Sequence, residues 1–229
     1  MRTIFSGRLV DRPAVAVMSV LGIASGVLVA YGGLETVVGC GSPSDAYPSQ
    51  TAKDWITHAD HVAVVTATAE RDGDRREVAE GPVRAEIQRI VTLTVDDVPW
   101  SAGRPRHALG KDFGMVAAGW SEYRKSGRRV ARTTGAAPRL EPGHTYLLAL
   151  RWAADRWVVL GEGASVPFDD RTAGLGEWCG RVLSAEDFAR GERFSRQDDN
   201  SLEEAILGKD ERAVVRELKQ AAREAPPAP

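Results

Sequence analysis

Cysteine is almost missing from this 229-residue sequence, which contains only Cys40 and Cys179. A disulfide-stapled scaffold is therefore excluded, leaving an intracellular protein or an exported one that relies on its apolar core. Net charge is scarce as well: 30 basic residues oppose 32 acidic ones, for a formal charge of −2. That balance argues against a nucleic-acid partner and against a strongly acidic tail. No internal repeat is present, which excludes a solenoid or propeller. Arg far outnumbers Lys, and Ala, Gly and Val are abundant, a composition that points to a genome of high GC content. The apolar fraction of 43% is enough to build one core of ordinary size.

Charge disappears entirely between Arg12 and Glu35. The 22 residues between them cover roughly 33 Å as a helix, enough to cross a ~30 Å hydrocarbon layer. Arg2, Arg8 and Arg12 precede the run, opposed only by Asp11. The positive-inside rule then places residues 1–12 in the cytoplasm, residues 13–34 in the membrane, and the rest outside. A cleavable signal has a shorter apolar stretch, so an uncleaved anchor is the first reading. A competing reading comes from Val37-Val38-Gly39-Cys40, which resembles the lipobox of bacterial lipoproteins. In that reading residues 13–34 are the lipoprotein signal and Cys40 is lipidated. Gly32, Gly33, Glu35 and Thr36 set the box apart from the apolar run. An ordinary juxtamembrane Cys40 is the bland alternative to the lipobox, and a buried soluble helix is the third reading of the run. The first two agree on a domain that faces out and is tethered to the cell membrane.

Residues 35–50 read as a polar linker with two prolines. Residues 51–59 read as a short helix capped by Ser49 or Thr51, and residues 61–69 alternate as a strand. Residues 71–81 are charged and read as an exposed loop. Residues 83–95 carry the clearest period of two, interrupted at Arg89, and their length predicts a bend or bulge there. Residues 97–110 form a loop, 112–120 another strand, and 121–139 a long basic connection. Residues 139–168 organise the domain. A Glu141-Pro142-Gly143 turn leads into Tyr146-Leu147-Leu148-Ala149-Leu150, a short polar break, and Trp157-Val158-Val159-Leu160. This is a hairpin with one apolar and one mixed face, as expected of a sheet covered on one side. Beyond residue 183 the period becomes helical, with two amphipathic helices around Gly208 and a frayed Pro-rich end. The expected organisation is a mainly β domain at 51–180, a small antiparallel barrel of about five to six strands, followed by a helical extension at 181–229.

The order of helix, Ala59-Asp60-His61-Val62 into a strand, a long second strand, and Leu140-Glu141-Pro142-Gly143 into Tyr146-Leu147-Leu148 resembles a group of exported bacterial domains. These have an OB-like barrel and no known function. They are similar in outline to tissue-inhibitor and netrin-type modules. Gly161-Glu162-Gly163 to Val166 matches their closing Gly-rich strand. The resemblance spans roughly residues 51–170 and implies the fold rather than an activity. The disulfide-rich start and free N-terminal cysteine with which tissue inhibitors grip a protease zinc are missing, so that activity does not carry over.

Chemistry is sparse. His58, Asp60 and His61 offer three ligand types within four residues, but a helix-to-strand junction turns their side chains apart, with Asp60 bonding local backbone N–H groups. Asp112-Phe113-Gly114 matches the kinase metal motif in letters only. Gly161-x-Gly163 lacks the helix and lysine of a phosphate loop. Ser165 sits in a strand rather than a nucleophile elbow, and Asp169-Asp170 reads as a turn rather than an acid–base pair. Trp55, Trp100, Trp152, Trp157 and Trp178 fit core positions better than a carbohydrate platform. Cys179 reads first as a partly buried thiol; a bridge to Cys40 is the alternative, which lipidation of Cys40 would forbid. The most promising feature is a basic run, Arg124, Lys125, Arg128, Arg129 and Arg132, suited to lipid head groups, wall polyanions or an acidic partner; a solvated hairpin tip is its bland alternative. The expected function is a non-catalytic, membrane-tethered extracytoplasmic binding module needing no cofactor or metal. Its partners would be an anionic envelope polymer or an envelope protein reached through the C-terminal helices. An envelope hydrolase is the third reading.

Overall fold

The computed structural model describes residues 38–41, 46–134, 137–193 and 201–224. The fold is mainly β. A mostly antiparallel sheet contains β1 (Val38–Gly41), β2 (His61–Glu77), β3 (Val83–Ser101), β4 (Asp112–Tyr123), β5 (Arg129–Thr134), β6 (Thr145–Ala153), β7 (Arg156–Val159) and β8 (Ser165–Pro167). The strand order is β1-β5-β4-β3-β2-β6-β7, with β8 added on β6, and the sheet curls through half a barrel. A separate hairpin pairs β9 (Gly176–Trp178) with β10 (Arg181–Leu183). The helices are α1 (Ala52–His58), α2 (Ala185–Ala189), α3 (Leu202–Ile206) and α4 (Glu211–Glu224).

The organising hairpin forms as β6 and β7, but β6 is covered on both faces rather than one. Tyr146, Leu148 and Leu150 point into the curl with Val65, Val91 and Leu93. Leu147 and Ala149 point outward into a second core, closed by Trp55 of α1 and by Ile206, Val214 and Leu218 of α3 and α4. Burial of both faces accounts for the nearly unbroken apolar run. The C-terminal helices are thus integral to the domain, and their apolar positions are occupied by this core. The β6–β7 turn places Ala154 (φ 50°) and Asp155 (φ 58°) in the left-handed region, as a two-residue hairpin turn demands.

α1 begins as expected. The Thr51 hydroxyl accepts from Asp54 N at 3.1 Å, and the Asp54 carboxylate accepts from Thr51 N at 2.9 Å, a reciprocal cap. Trp55 is fully buried and donates to Ser49 O at 2.7 Å. The region read as a linker is in part structured. Val38–Gly41 pairs in parallel with β5, and Tyr47 N donates to Leu160 O at 3.1 Å.

Two polar segments read as loop or connection are strands. β2 continues to Glu77, and β5 occupies residues 129–134 of the basic connection. Each gains ladder hydrogen bonds from a partner whose own strand signal is strong. The expected irregularity near Arg89 is present: the β3–β4 register shifts between Ile87 and Arg89. Gly119 faces this shift, where a Cβ would lie 1.9 Å from Ile87 O, so only glycine allows the approach. Among the described residues no helix is long and apolar enough to cross a membrane. The expected anchor at 13–34 and the Pro-rich end at 225–229 lie outside the described residues, as does the side chain of Cys40.

Candidate functional site

The basic run divides by role. Arg124, in the β4–β5 turn, spends its guanidinium on the facing β2–β3 turn, donating to Val78 O at 2.6 Å and Ala79 O at 3.2 Å. Its backbone N donates to Pro82 O at 2.8 Å, so the two turns are laced together. Arg129 lies over the Trp120 ring at 4.4 Å and pairs with Asp72 at 2.8 Å. Arg132 pairs with Glu86 at 3.0 Å. Arg76 also pairs with Glu86, and that hydrogen bond, followed by the Arg132 charge, holds the Glu86 carboxyl below the usual range. Lys125 and Arg128 are exposed at the tip and have no side-chain partner among the described residues. Beside them lies an open groove of about 420 Å³, lined by Gly81, Pro82, Tyr123, Arg124, Lys125 and Ser126.

The tip therefore carries Arg124, Lys125 and Arg128 without a carboxylate partner, and Glu80 is the one acidic residue in the facing turn. Its scaffold is charged too. Arg75 bonds Glu122 at 2.7 Å and Glu77 at 2.9 Å. The Arg75 hydrogen bond pulls the Glu122 carboxyl down, and Glu122 in turn raises the Arg75 guanidinium. Two of the five basic residues are thus fixed by carboxylates and one by backbone carbonyls, leaving a positively charged, sterically accessible edge.

The His58-Asp60-His61 junction sends its side chains to three different places. His58 stacks near Tyr47, with ring centroids 6.1 Å apart. His61 Nε2 donates to His107 O at 3.0 Å, so the proton sits on Nε2 and Nδ1 faces the Ser101 hydroxyl at 2.8 Å. Asp60 accepts from Arg106 N at 2.9 Å, the Arg106 guanidinium at 2.9 Å and Trp152 N at 2.8 Å. The local backbone partners expected of Asp60 are replaced by distant ones, Arg106 N in the loop after β3 and Trp152 N in β6. Burial works to raise this carboxyl, and the N–H groups of Arg106 and Trp152 with the Arg106 charge outweigh it, so it lies below the usual range. The junction pins residues 102–110, whose His107 ring stacks on Trp152 at 4.0 Å.

Two arrangements escaped the sequence reading. Glu177 is 1% exposed, and its carboxylate accepts from Arg139 N, Leu140 N, Gly180 N and the Tyr146 hydroxyl at 2.8–3.1 Å. Leu140 takes φ 63° so that two successive N–H groups converge on it, a small anion nest. Burial and then the Glu177 charge push the Tyr146 hydroxyl far above its ordinary value. Next to this nest, the fully buried Arg89 bonds Glu70 at 2.6 Å, Glu141 at 3.4 Å and Arg139 O. The second arrangement is His144 Nδ1 at 2.6 Å from Asp169, whose other oxygen accepts from Thr145 N at 2.7 Å. Asp169 fixes a turn, and Asp170 at φ 51° completes it. Local spacing announces neither arrangement: Glu177 lies 31–38 residues from Arg139, Leu140 and Tyr146, with only Gly180 nearby, and Asp169 lies 24–25 residues from Thr145 and His144.

The remaining sequence candidates fall apart spatially. Ser165 is buried in β8, Asp112 accepts from Thr94 across the β3–β4 ladder at 2.6 Å, and Gly163 is buried beneath Ser49. Trp55, Trp157 and Trp178 are buried in three different clusters; Trp100 packs against the first, and Trp152 against Trp157 with ring centroids 5.2 Å apart, so the five tryptophans do not share one surface. No three His, Cys, Asp or Glu residues among those described group as metal ligands. Comparison with protein-family models, with curated proteins and with solved structures finds no match for the chain.

Proposed function

We propose that the chain is a non-catalytic, membrane-tethered extracytoplasmic binding module. Its ligand is an anionic envelope polymer taken at the β4–β5 tip. The observation that carries this reading is the split within the basic run: Arg129 and Arg132 are neutralised by carboxylates, whereas Arg124, Lys125 and Arg128 keep their charge at the edge of a groove. The uncharged run at 13–34, preceded by arginines, supports an anchor with the domain outside. The curl of the sheet supports an OB-like barrel of the exported bacterial kind. The rival docking role of the C-terminal helices is disfavoured because Leu202, Ile206, Val214 and Leu218 are buried in the domain's own core. The hydrolase reading is disfavoured by the separate partners of His58, Asp60 and His61.

The test is binding of the full chain, held in neutral lipid, to dextran sulfate and, separately, to phosphatidylglycerol vesicles across a salt series. Affinity for the polyanion falls as salt rises, and the double variant Lys125→Ser, Arg128→Ser weakens it about 10-fold or more at low salt. Binding indifferent to salt and to the double variant would contradict the proposal. Binding to vesicles but not to the soluble polyanion would move the ligand to the lipid surface.

A further inference from the structure

The only two cysteines in the chain converge on one strand. In β1, Gly39 is the Cα partner of Thr133 and Gly41 that of Thr134, so Cys40 sits at the register shift between them, on the β5 edge. Adjacent strands lie about 4.8 Å apart, which puts the Cys40 backbone next to Thr133. The Thr133 hydroxyl in turn lies 3.5 Å from Cys179 Sγ. Thr133 thus neighbours two cysteines 139 positions apart in sequence.

A second observation singles out Cys179. It occupies the two-residue turn of the β9–β10 hairpin with φ 51°, followed by Gly180 at φ 75°. Such turns favour Asn, Asp or Gly, and a cysteine held in the left-handed region there is an unusual choice. The turn is fixed by Glu177, whose Oε1 accepts from Gly180 N at 2.8 Å. It is half-buried, and the thiol faces Ala137 O at 3.6 Å and Thr133 rather than bulk solvent.

We infer that Cys40 and Cys179 are disulfide partners, and that their bond fastens the segment following the membrane run to the β9–β10 hairpin across the edge of β5. Each thiol loses its hydrogen and the S–S bond forms. The two hydrogens and two electrons pass to a small disulfide of the glutathione class, which leaves as two thiols. The bond excludes lipidation of Cys40. It relies on the extracytoplasmic reading for its oxidising surroundings.

The experiment treats the detergent-solubilised, folded full chain with glutathione disulfide and maps the peptides. The expected product is lighter by two hydrogen atoms and yields one peptide pair linked through Cys40 and Cys179. Cys40→Ser instead leaves Cys179 carrying glutathione. Reduction of the bridged protein lowers Tm by roughly 5–10 °C, as expected for a cross-link closing a long loop. Separate glutathione adducts on the two cysteines, unchanged thiols, or an acyl group on Cys40 would overturn the inference. Acid-quenched cells provide the separate arm. A bridge that forms in vitro but is absent in cells supports the pairing and contradicts the extracytoplasmic placement.

Discussion

β2 and β3 form one continuous ribbon with two unlike ends. At the end where the sheet curls into a half-barrel, here the barrel end, Val62, Val64, Val65 and Ala67 of β2 are buried, and Ala67 pairs with Leu93. At the arm end, residues 68–77 of β2 are largely exposed, and the same two strands carry Arg71, Asp72, Arg75, Arg76 and Glu86. Apolar area removed from water stabilises the first end at roughly 25 cal/mol per Å². Exposed ion pairs, each worth little in water, hold the second. The difference explains a division of labour. The barrel end fixes the fold, and the arm end holds the β4–β5 tip with charges while leaving Lys125 and Arg128 unneutralised.

Arg89 stands at the border, and its removal is the largest expected effect. Its side chain is fully buried, with Nε lacking a hydrogen-bond partner among the described residues while both terminal nitrogens are engaged. Arg89→Leu leaves the buried Arg139 O without this donor and removes the ion pair to Glu70, and is expected to cost on the order of 3 kcal/mol, read by chemical denaturation. A variant as stable as the parent would show that the two ends do not depend on this bridge.

A smaller effect is expected on the barrel side. Asp60→Asn removes the charge that holds Arg106 and releases residues 102–110, costing about 1–2 kcal/mol and quenching less of the Trp152 fluorescence through His107. Because the Asp60 carboxyl is depressed in the fold, its contribution is complete above the unfolded value near 4 and is lost as pH falls through the lower folded value. An acid titration should therefore loosen this loop in the parent, and the Asn variant should lack that step.

The arm should yield the smallest change. Arg75→Ala removes exposed pairs with Glu77 and Glu122 and is expected to shift Tm by no more than about 2 °C. Added salt should mimic it. A large loss would mean that the arm's charges stabilise the fold rather than shape its surface.

The same contrast governs what could be read from sequence. The apolar face of β3 was legible along its length, because Val83, Ala85, Ile87, Val91 and Leu93 alternate and the interruption at Arg89 marks the register shift. The arm was not, since Glu70 to Glu77 contains no apolar residue and becomes a strand only through its pairing with β3. β6 was read with one covered face because the second cover comes from α3 and α4, more than 50 residues downstream. The basic run was visible as composition, but which of its members remain available depends on Asp72, Glu86 and the β2–β3 turn, which only the fold brings near. The Glu177 nest was not legible, as three of its donors come from residues 139, 140 and 146, and only Gly180 is a neighbour in sequence.

The most direct measurement is amide hydrogen exchange on the full chain in neutral lipid, with and without dextran sulfate. The account predicts added protection at residues 78–84 and 121–130, with the barrel end and α3–α4 unchanged. Protection appearing at α3–α4, or nowhere, would contradict the claim that the charged arm presents the binding edge.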